Sequence, residues 1–130
     1  MYTDPDQACD VYTRQCSVAI TCRDLAIMGG TIANGGINPV TKKQVVNKEN
    51  IQPILAEMMM NGLYENTGNW LYSTGLPGKS GVGGGILAVV PGKCALAVFA
   101  PPLDIHGNSV KGQKVGAFLS EKLGWSLFNK

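Results

Sequence analysis

The sequence predicts a mixed α/β fold of the α+β type, with helices packed on an antiparallel sheet. Two apolar runs, Gly85 to Val90 and Cys94 to Ala100, are joined by Pro91-Gly92-Lys93, which is typical of a β-hairpin. Both runs are apolar at nearly every position, so we expect helices to cover both faces of the sheet. Several segments around the hairpin repeat apolar residues at the spacing of a helix.

The first predicted helix runs from Asp4 to Ser17. Asp4 is suited to cap it, and Pro5 fits the first helical position, because the backbone N–H that proline lacks would have no partner there. The apolar residues that recur at helical spacing predict one buried face, made of Ala8, Val11, Tyr12 and Cys16.

The second predicted helix begins at Thr21 and ends at Asn34-Gly35-Gly36. Thr21 and Asp24 have the spacing of a capping box, and the glycines supply the left-handed conformation that ends a helix. Its inner face is expected to consist of Leu25, Met28 and Ile32.

A third helix is predicted from Lys48 to about Asn61, with Asn47 as its cap. Its inward residues are expected to be Ile51, Ile54, Leu55 and Met58. Before it, Gln44 to Val46 is at best a short edge strand. After it, the turn-rich and aromatic stretch from Leu63 to Pro77 predicts a packed loop or a short helix.

A final helix is predicted to run to about Leu123, capped by Asn108 or Ser109. The residues expected on its buried side are Val110, Val115, Phe118 and Leu119. Gly112 and Gly116 weaken this helix unless close packing there requires small residues.

Length and composition favour a single globular domain over residues 1–130. Hydrophobic residues make up 45% of the chain and charged residues 15%, which is far from a disordered composition. A net charge of +2 without a basic run gives no support for binding to nucleic acid or to an anionic membrane. No apolar run is long enough to span a membrane, and the acidic N-terminus lacks the apolar core of a signal peptide.

The cysteines and the histidine predict no metal site. Cys9, Cys16, Cys22 and Cys94 lack the close spacing of zinc ligands, and His106 stands alone. We therefore expect buried, reduced thiols in a cytoplasmic protein, and a loop position without a chemical role for His106.

The most informative motif is Lys79-Ser80-Gly81, which is followed by Val82 and a run of glycines that leads into the first apolar strand. A Lys-Ser/Thr-Gly triplet on a strand is one signature of the penicillin-recognising serine acyl-transferases, whose nucleophile lies in a Ser-x-x-Lys motif. No serine of this chain is followed by lysine three positions later. The sequence thus contains one motif of such an active site and lacks the motif that carries its nucleophile.

Further motifs share an order along the chain: DVYTRQCS at 10–17, ANGG at 33–36, NPVT at 38–41, MNGLY at 60–64, GLPGKSGVGGG at 75–85, PPLD at 101–104 and GNSVKG at 107–112. Together they resemble the serine-dependent glutaminases of the β-lactamase-like fold. The resemblance covers essentially the whole chain, as the C-terminal part of that domain.

This resemblance implies hydrolysis of L-glutamine to L-glutamate and ammonia through a serine acyl-enzyme, without a cofactor. It implies that Tyr64 lies beside the serine, where it relays the proton and contacts substrate, and that Tyr12 helps to hold the substrate. It also implies that the N–H of Val82 forms half of an oxyanion hole. These roles fit elementary chemistry. A nearby ammonium lowers the pKa of a phenol towards the range in which it acts as a base, and a backbone N–H on a strand has a fixed direction.

The resemblance further implies that the Ser-x-x-Lys motif lies upstream of this sequence, that the chain alone is inactive and that the protein is a homo-oligomer. The alternative is an inactive truncated fragment or a self-associating remnant, and a weaker one is a β-lactamase or peptidase relative. Read without the resemblance, Tyr64 anchors a helix end, Tyr12 is a core residue and Lys79 is a charge that protects a sheet edge.

Overall fold

The computed structural model describes residues 4–128 and confirms the predicted α+β architecture. In that range the chain forms α-helices and one three-stranded sheet. The helices are α1 Pro5–Cys16, α2 Cys22–Ala33, α3 Ile51–Met60, α4 Thr67–Thr74 and α5 Val110–Leu123. The strands are β1 Gly78–Gly81, β2 Gly85–Val90 and β3 Cys94–Phe99. Short 3-10 turns at Lys48–Asn50 and Tyr64–Asn66 precede α3 and α4.

β2 lies at the centre of the antiparallel order β1-β2-β3, so the predicted hairpin of β2 and β3 is confirmed. Because successive side chains of a strand point to opposite faces, each face of β2 has its own core. One cluster consists of Leu63, Trp70, Leu76, Ile86, Ala88 and Val90. The other consists of Ala33, Met58, Leu87 and Val89. Helices therefore cover both faces of β2, as the apolar run predicted.

α2 packs closely on the sheet because it presents a glycine there. A Cβ at Gly29 would lie 2.5 Å from Cδ1 of Leu87 and 2.7 Å from Cβ of Ala95. The predicted capping box at the start of α2 is confirmed. The prediction that Met28 faces inward is wrong, since the side chain is 49% exposed and the neighbouring glycine makes the close approach instead.

α5 also packs through small residues, and its predicted buried face is wrong for three of its four residues, while Leu119 is half-buried. Val110, Val115 and Phe118 are exposed, whereas the buried positions of α5 are Gly112, Gly116 and Ser120. A Cβ at Gly116 would overlap the Trp70 ring, and one at Gly112 would lie 3.0 Å from Cδ1 of Ile86. The glycines that weaken this helix are thus explained by close packing, and the cap is the hydroxyl of Ser109, which accepts from the N–H of Gly112.

We expect Gly116→Ala to lower the free energy of unfolding by about 1–3 kcal/mol, because the added methyl overpacks the core against Trp70. Gly68→Ala is the matched control. A Cβ at Gly68 would meet nothing within 4 Å in helix α4, so this change should raise the free energy of unfolding by about 0.5–1 kcal/mol. Urea denaturation measures both. Equal effects of the two changes would contradict the packing explanation.

The predicted buried face of α1 is wrong. The Asp4 cap is confirmed, because its carboxylate accepts from two backbone N–H groups at the helix start, but no residue of α1 is buried. Val11 and Tyr12 are 62% and 68% exposed. Periodicity shows which residues share a helix face and leaves open whether another element covers that face.

The third helix is shorter at its start than predicted. α3 begins at Ile51, because residues 48–50 form a 3-10 turn, and the side chain of Asn47 makes no capping hydrogen bond. The suggested edge strand is reduced to one isolated bridge between Ile37 and Gln44. The short helix predicted within residues 63–77 is confirmed as α4.

The four cysteines are free thiols, and the prediction that they are buried is wrong for three of them. Cys9, Cys16 and Cys22 are exposed, and Cys94 is half-buried. Burial raises the pKa of the Cys94 thiol. Across residues 4–128, no helix has the length and apolar character needed to cross a membrane.

Candidate active site

Tyr64 lies in the turn between α3 and α4 with a left-handed backbone. Its φ is 52°, which is unfavourable for a bulky aromatic residue. The Thr67 hydroxyl fixes this turn, because it donates to the carbonyl oxygen of Tyr64 (2.7 Å) and accepts from the N–H of Leu63 (2.9 Å). The Tyr64 side chain is 45% exposed. The fold thus maintains a strained backbone while the ring stays accessible, a combination that is common at functional sites.

Lys79 reaches from β1 to the same turn. Its Nζ lies 4.9 Å from the centroid of the Tyr64 ring, which is within the range of a cation–π contact. The ammonium also donates to the carbonyl oxygens of Ser80 (2.6 Å) and Gly62 (3.3 Å). Burial lowers the pKa of Lys79. Lys79 is therefore engaged with the Tyr64 turn and is more than a charge on a strand edge.

Val82 lies in the turn between β1 and β2, and its side chain is exposed. The turn is closed by the N–H of Gly84, which donates to the carbonyl of Gly81 at 2.9 Å. Among residues 4–128, the N–H of Val82 takes part in none of the backbone hydrogen bonds that lie outside the helices and strands.

Gly107 marks the point at which Tyr64 and Val82 come together. A Cβ at Gly107 would lie 3.4 Å from Cγ1 of Val82 and 4.0 Å from Cε2 of Tyr64. Its φ is 84°, a conformation that favours glycine. Tyr64 and Val82, which are far apart in sequence, thus both lie against the backbone of Gly107.

Tyr12 lies on α1, and its side chain is exposed. The pKa of Tyr12 is raised, first by a hydrogen bond with the side chain of Cys16, then by the charge of Cys16 and by desolvation, and least by Tyr64. Tyr12 is therefore a surface residue rather than a core residue.

The loop before α5 is held by Asp104, the last residue of the PPLD motif, for which the sequence predicted no role of its own. One carboxylate oxygen accepts from the N–H of His106 (2.9 Å) and of Asn108 (3.0 Å), and the other accepts from Nε2 of Gln113 (2.8 Å). An Asp followed by a Gly-Asn pair is a turn signal. The contact with Gln113, which crosses from loop to helix, has no such local signal.

We expect the stabilisation from Asp104 to depend on pH. Desolvation raises the pKa of its carboxyl, but hydrogen bonds from Asn108, Gln113 and His106 outweigh it, so the pKa lies below the ordinary 3.8. The stabilisation is then fully present above pH 3.8 and is lost as pH falls through the lower folded-state pKa. Asp104→Asn should cost about 1 kcal/mol at neutral pH, after allowance for solvent screening. Urea denaturation should show this difference shrinking below pH 3.8; a constant difference would contradict it.

His106 lies in an exposed loop, as predicted, with Nδ1 3.7 Å from a carboxylate oxygen of Glu65. In the part of the chain that the structure describes, no three His, Cys, Asp or Glu side chains come together as metal ligands. An open apolar groove of about 750 Å³ adjoins the Val82 turn. Its lining includes Leu25, Gly81, Gly83, Val98 and Phe99.

The family model that matches this chain is that of glutaminase, over residues 1–128. The chain is similar to glutaminase 1 of Escherichia coli strain K12, with 57% identity over 128 residues, which is 98% of this chain and 41% of that protein. It is also similar to the glutaminase of Mycobacterium ulcerans, with 54% identity over 129 residues, 99% of this chain and 40% of the relative. The chain thus spans about two-fifths of the length of the curated relatives that it matches.

Solved structures give the same result. The structure described as "Probable glutaminase ybaS" has a TM-score of 0.96 at 56% identity, covering 100% of this chain and 42% of its own. The covalent complex of Bacillus subtilis glutaminase YbgJ with 5-oxo-L-norleucine, formed by reaction with 6-diazo-5-oxo-L-norleucine, has a TM-score of 0.92 at 30% identity, with 96% and 45% coverage. The fold is therefore part of the β-lactamase-like fold of these proteins.

Proposed function

The chain belongs to the glutaminase family, and from that premise we propose that it supplies the C-terminal part of a domain that hydrolyses L-glutamine to L-glutamate and ammonia. The observation that carries the proposal is the meeting of Tyr64 and Val82 at Gly107, where the exposed Tyr64 ring and the Val82 side chain both lie within 4.0 Å of the position of a Cβ. A proton carrier and an oxyanion donor are the groups that acyl transfer requires.

In the proposed reaction a serine outside this sequence attacks the side-chain amide carbon of glutamine. A bond forms between the serine oxygen and this carbon, and the serine proton passes to the departing nitrogen, which leaves as ammonia when the C–N bond breaks. Water then attacks the ester, one of its protons returns to the serine oxygen, and glutamate is released. Tyr64 carries the proton in both steps, and the N–H of Val82 donates to the oxyanion.

We propose that Tyr12 and Tyr64 also bind the substrate. The covalent complex of the Bacillus subtilis relative supports a glutamine-shaped site, because 5-oxo-L-norleucine has a carbonyl at the position of the glutamine side-chain amide. Tyr12 and Tyr64 are both exposed, so both phenols are accessible to a small amino acid.

We further propose a cytoplasmic location and self-association into a homo-oligomer. The four free thiols support the first, since reduced cysteines are typical of that compartment. The edge strand β3 and the exposed ring of Phe99 support the second, because an open strand edge with apolar side chains favours pairing.

The test is ammonia release from L-glutamine by a joined protein, made of this chain and the part of Escherichia coli K12 glutaminase 1 that it does not match. The 57% identity over the matched part makes correct assembly realistic. Turnover would support the proposal. A joined protein that melts cooperatively but releases no ammonia would overturn it, and would favour a non-catalytic role for the chain.

A further inference from the structure

Asn108 is a completely buried polar residue at the junction of three segments of the site. We infer that it is a positioning residue for the reaction, which keeps Tyr64 and the N–H of Val82 at their productive separation. The inference rests on the proposed function, because it concerns the geometry of the same site. The side chain of Asn108 forms hydrogen bonds with Ser80 and Leu63, so it acts on Tyr64 and Val82 through the backbone that carries them.

Towards β1, the side-chain carbonyl of Asn108 accepts a hydrogen bond of 2.6 Å from the hydroxyl of Ser80. Ser80 is buried and lies two residues before Val82. Its own N–H donates to the carbonyl of Gly62 at 3.0 Å, which ties β1 to the turn before Tyr64. The position of the Val82 turn is thus coupled to Asn108 through one buried serine.

Towards Tyr64, the side-chain amide of Asn108 donates to the carbonyl oxygen of Leu63 at 3.1 Å. This carbonyl belongs to the peptide group that joins Leu63 to Tyr64. The hydrogen bond therefore fixes the orientation of the peptide plane from which the unusual φ of Tyr64 is measured. A left-handed backbone at a bulky residue persists only where the surroundings hold it. Asn108 provides part of that support.

Towards the loop, the N–H of Asn108 donates to the carboxylate of Asp104, and its carbonyl accepts from the N–H of Asp104 at 2.8 Å. These bonds fix the preceding residue, Gly107, against both Tyr64 and Val82. The amide side chain offers, in one neutral buried group, the acceptor for the Ser80 hydroxyl and the donor for the Leu63 carbonyl. An ionised aspartate has no donor. An alanine removes both hydrogen bonds, which leaves Ser80 with its longer bond to the carbonyl of Gly62 (3.4 Å) and the Leu63 carbonyl with the N–H of Asn66 (2.9 Å).

The test compares variants of the joined protein by kcat, KM and melting temperature. Asn108→Ala should lower kcat for L-glutamine about 100-fold while KM changes less than about threefold, because misplacement by about an ångström acts mainly on the transition state. Ser80→Ala, which leaves the bond to Leu63 intact, should lower kcat by about three- to tenfold. The double variant should lose little more than Asn108→Ala alone, since the two residues act as a unit.

Ser120→Ala is the matched control. It removes a buried hydrogen bond from Ser120 to the carbonyl of Thr74 between α5 and α4, outside the site. It should lower the melting temperature without changing kcat more than about twofold at a temperature where it is folded. If activity follows melting temperature in all three single variants, or if Asn108→Ala and Ser80→Ala keep the wild-type kcat, the positioning role is overturned while the proposed function stands. An inactive wild-type joined protein would overturn both.

Discussion

Replacing Tyr64 with phenylalanine is expected to lower kcat of the joined protein by about 10²- to 10⁴-fold, the usual contribution of a positioned proton carrier. The change removes only the hydroxyl. The ring, its contact with the Lys79 ammonium and the left-handed backbone all remain. The melting temperature should therefore stay close to that of the wild type, and the loss should fall on kcat more than on KM.

Tyr72→Phe is the matched control for this experiment. Tyr72 lies on α4, in the helix that follows the Tyr64 turn, and its side chain is 94% exposed. Its hydroxyl should contribute nothing to turnover. A Tyr64→Phe protein with at least one-tenth of the wild-type kcat would remove Tyr64 from the proposed proton relay and leave it a structural role at the helix start.

The chain by itself should release no detectable ammonia from L-glutamine, and joining it to the unmatched part of the Escherichia coli relative should create turnover. The reason is chemical, because no serine in these 130 residues has the lysine partner of a Ser-x-x-Lys nucleophile. Tyr64 can carry a proton and Val82 can stabilise an oxyanion, but neither group forms the acyl bond. Ammonia release, measured with each part alone and with the joined protein, checks the expectation.

The control for this second experiment is the joined protein in which the serine of the Ser-x-x-Lys motif expected in the added part is changed to alanine, which should be inactive. Hydrolysis by the isolated chain that disappears in Tyr64→Phe would contradict the expectation, since it would require a nucleophile within this sequence. Hydrolysis that survives Tyr64→Phe would point to a contaminating enzyme.

Local signals predicted local structure well. The capping box of Thr21 and Asp24, the Asp4 cap and the hairpin of β2 and β3 each depend on neighbouring residues, so their sequence pattern is enough. The inner faces of helices were predicted less well. Phe118 and Met28 fit the helical period, yet they are exposed because glycines on the same helices make the close approach to the sheet.

The residues of the candidate site were likewise predicted only in part. The resemblance indicated Tyr12, Tyr64 and Val82, and the structure brings the side chains of Tyr64 and Val82 together at one glycine, Gly107. It did not indicate Asn108 as more than a possible helix cap. The partners of this residue, Ser80 and Leu63, are 28 and 45 positions away in sequence, and no local pattern reports such contacts.

The sequence by itself determined the α+β class, the hairpin, the family and the lack of a Ser-x-x-Lys nucleophile within these residues. Each of these depends on short motifs or local patterns of residue types, which can be read without knowing how the chain packs. Only the tertiary structure decided which helix faces are covered, and that α1 carries Tyr12 on an exposed surface. Only the tertiary structure, likewise, joined the Tyr64 turn to the Val82 turn through Asn108. Burial and long-range hydrogen bonds depend on how separate elements pack, and packing is a property of the whole chain.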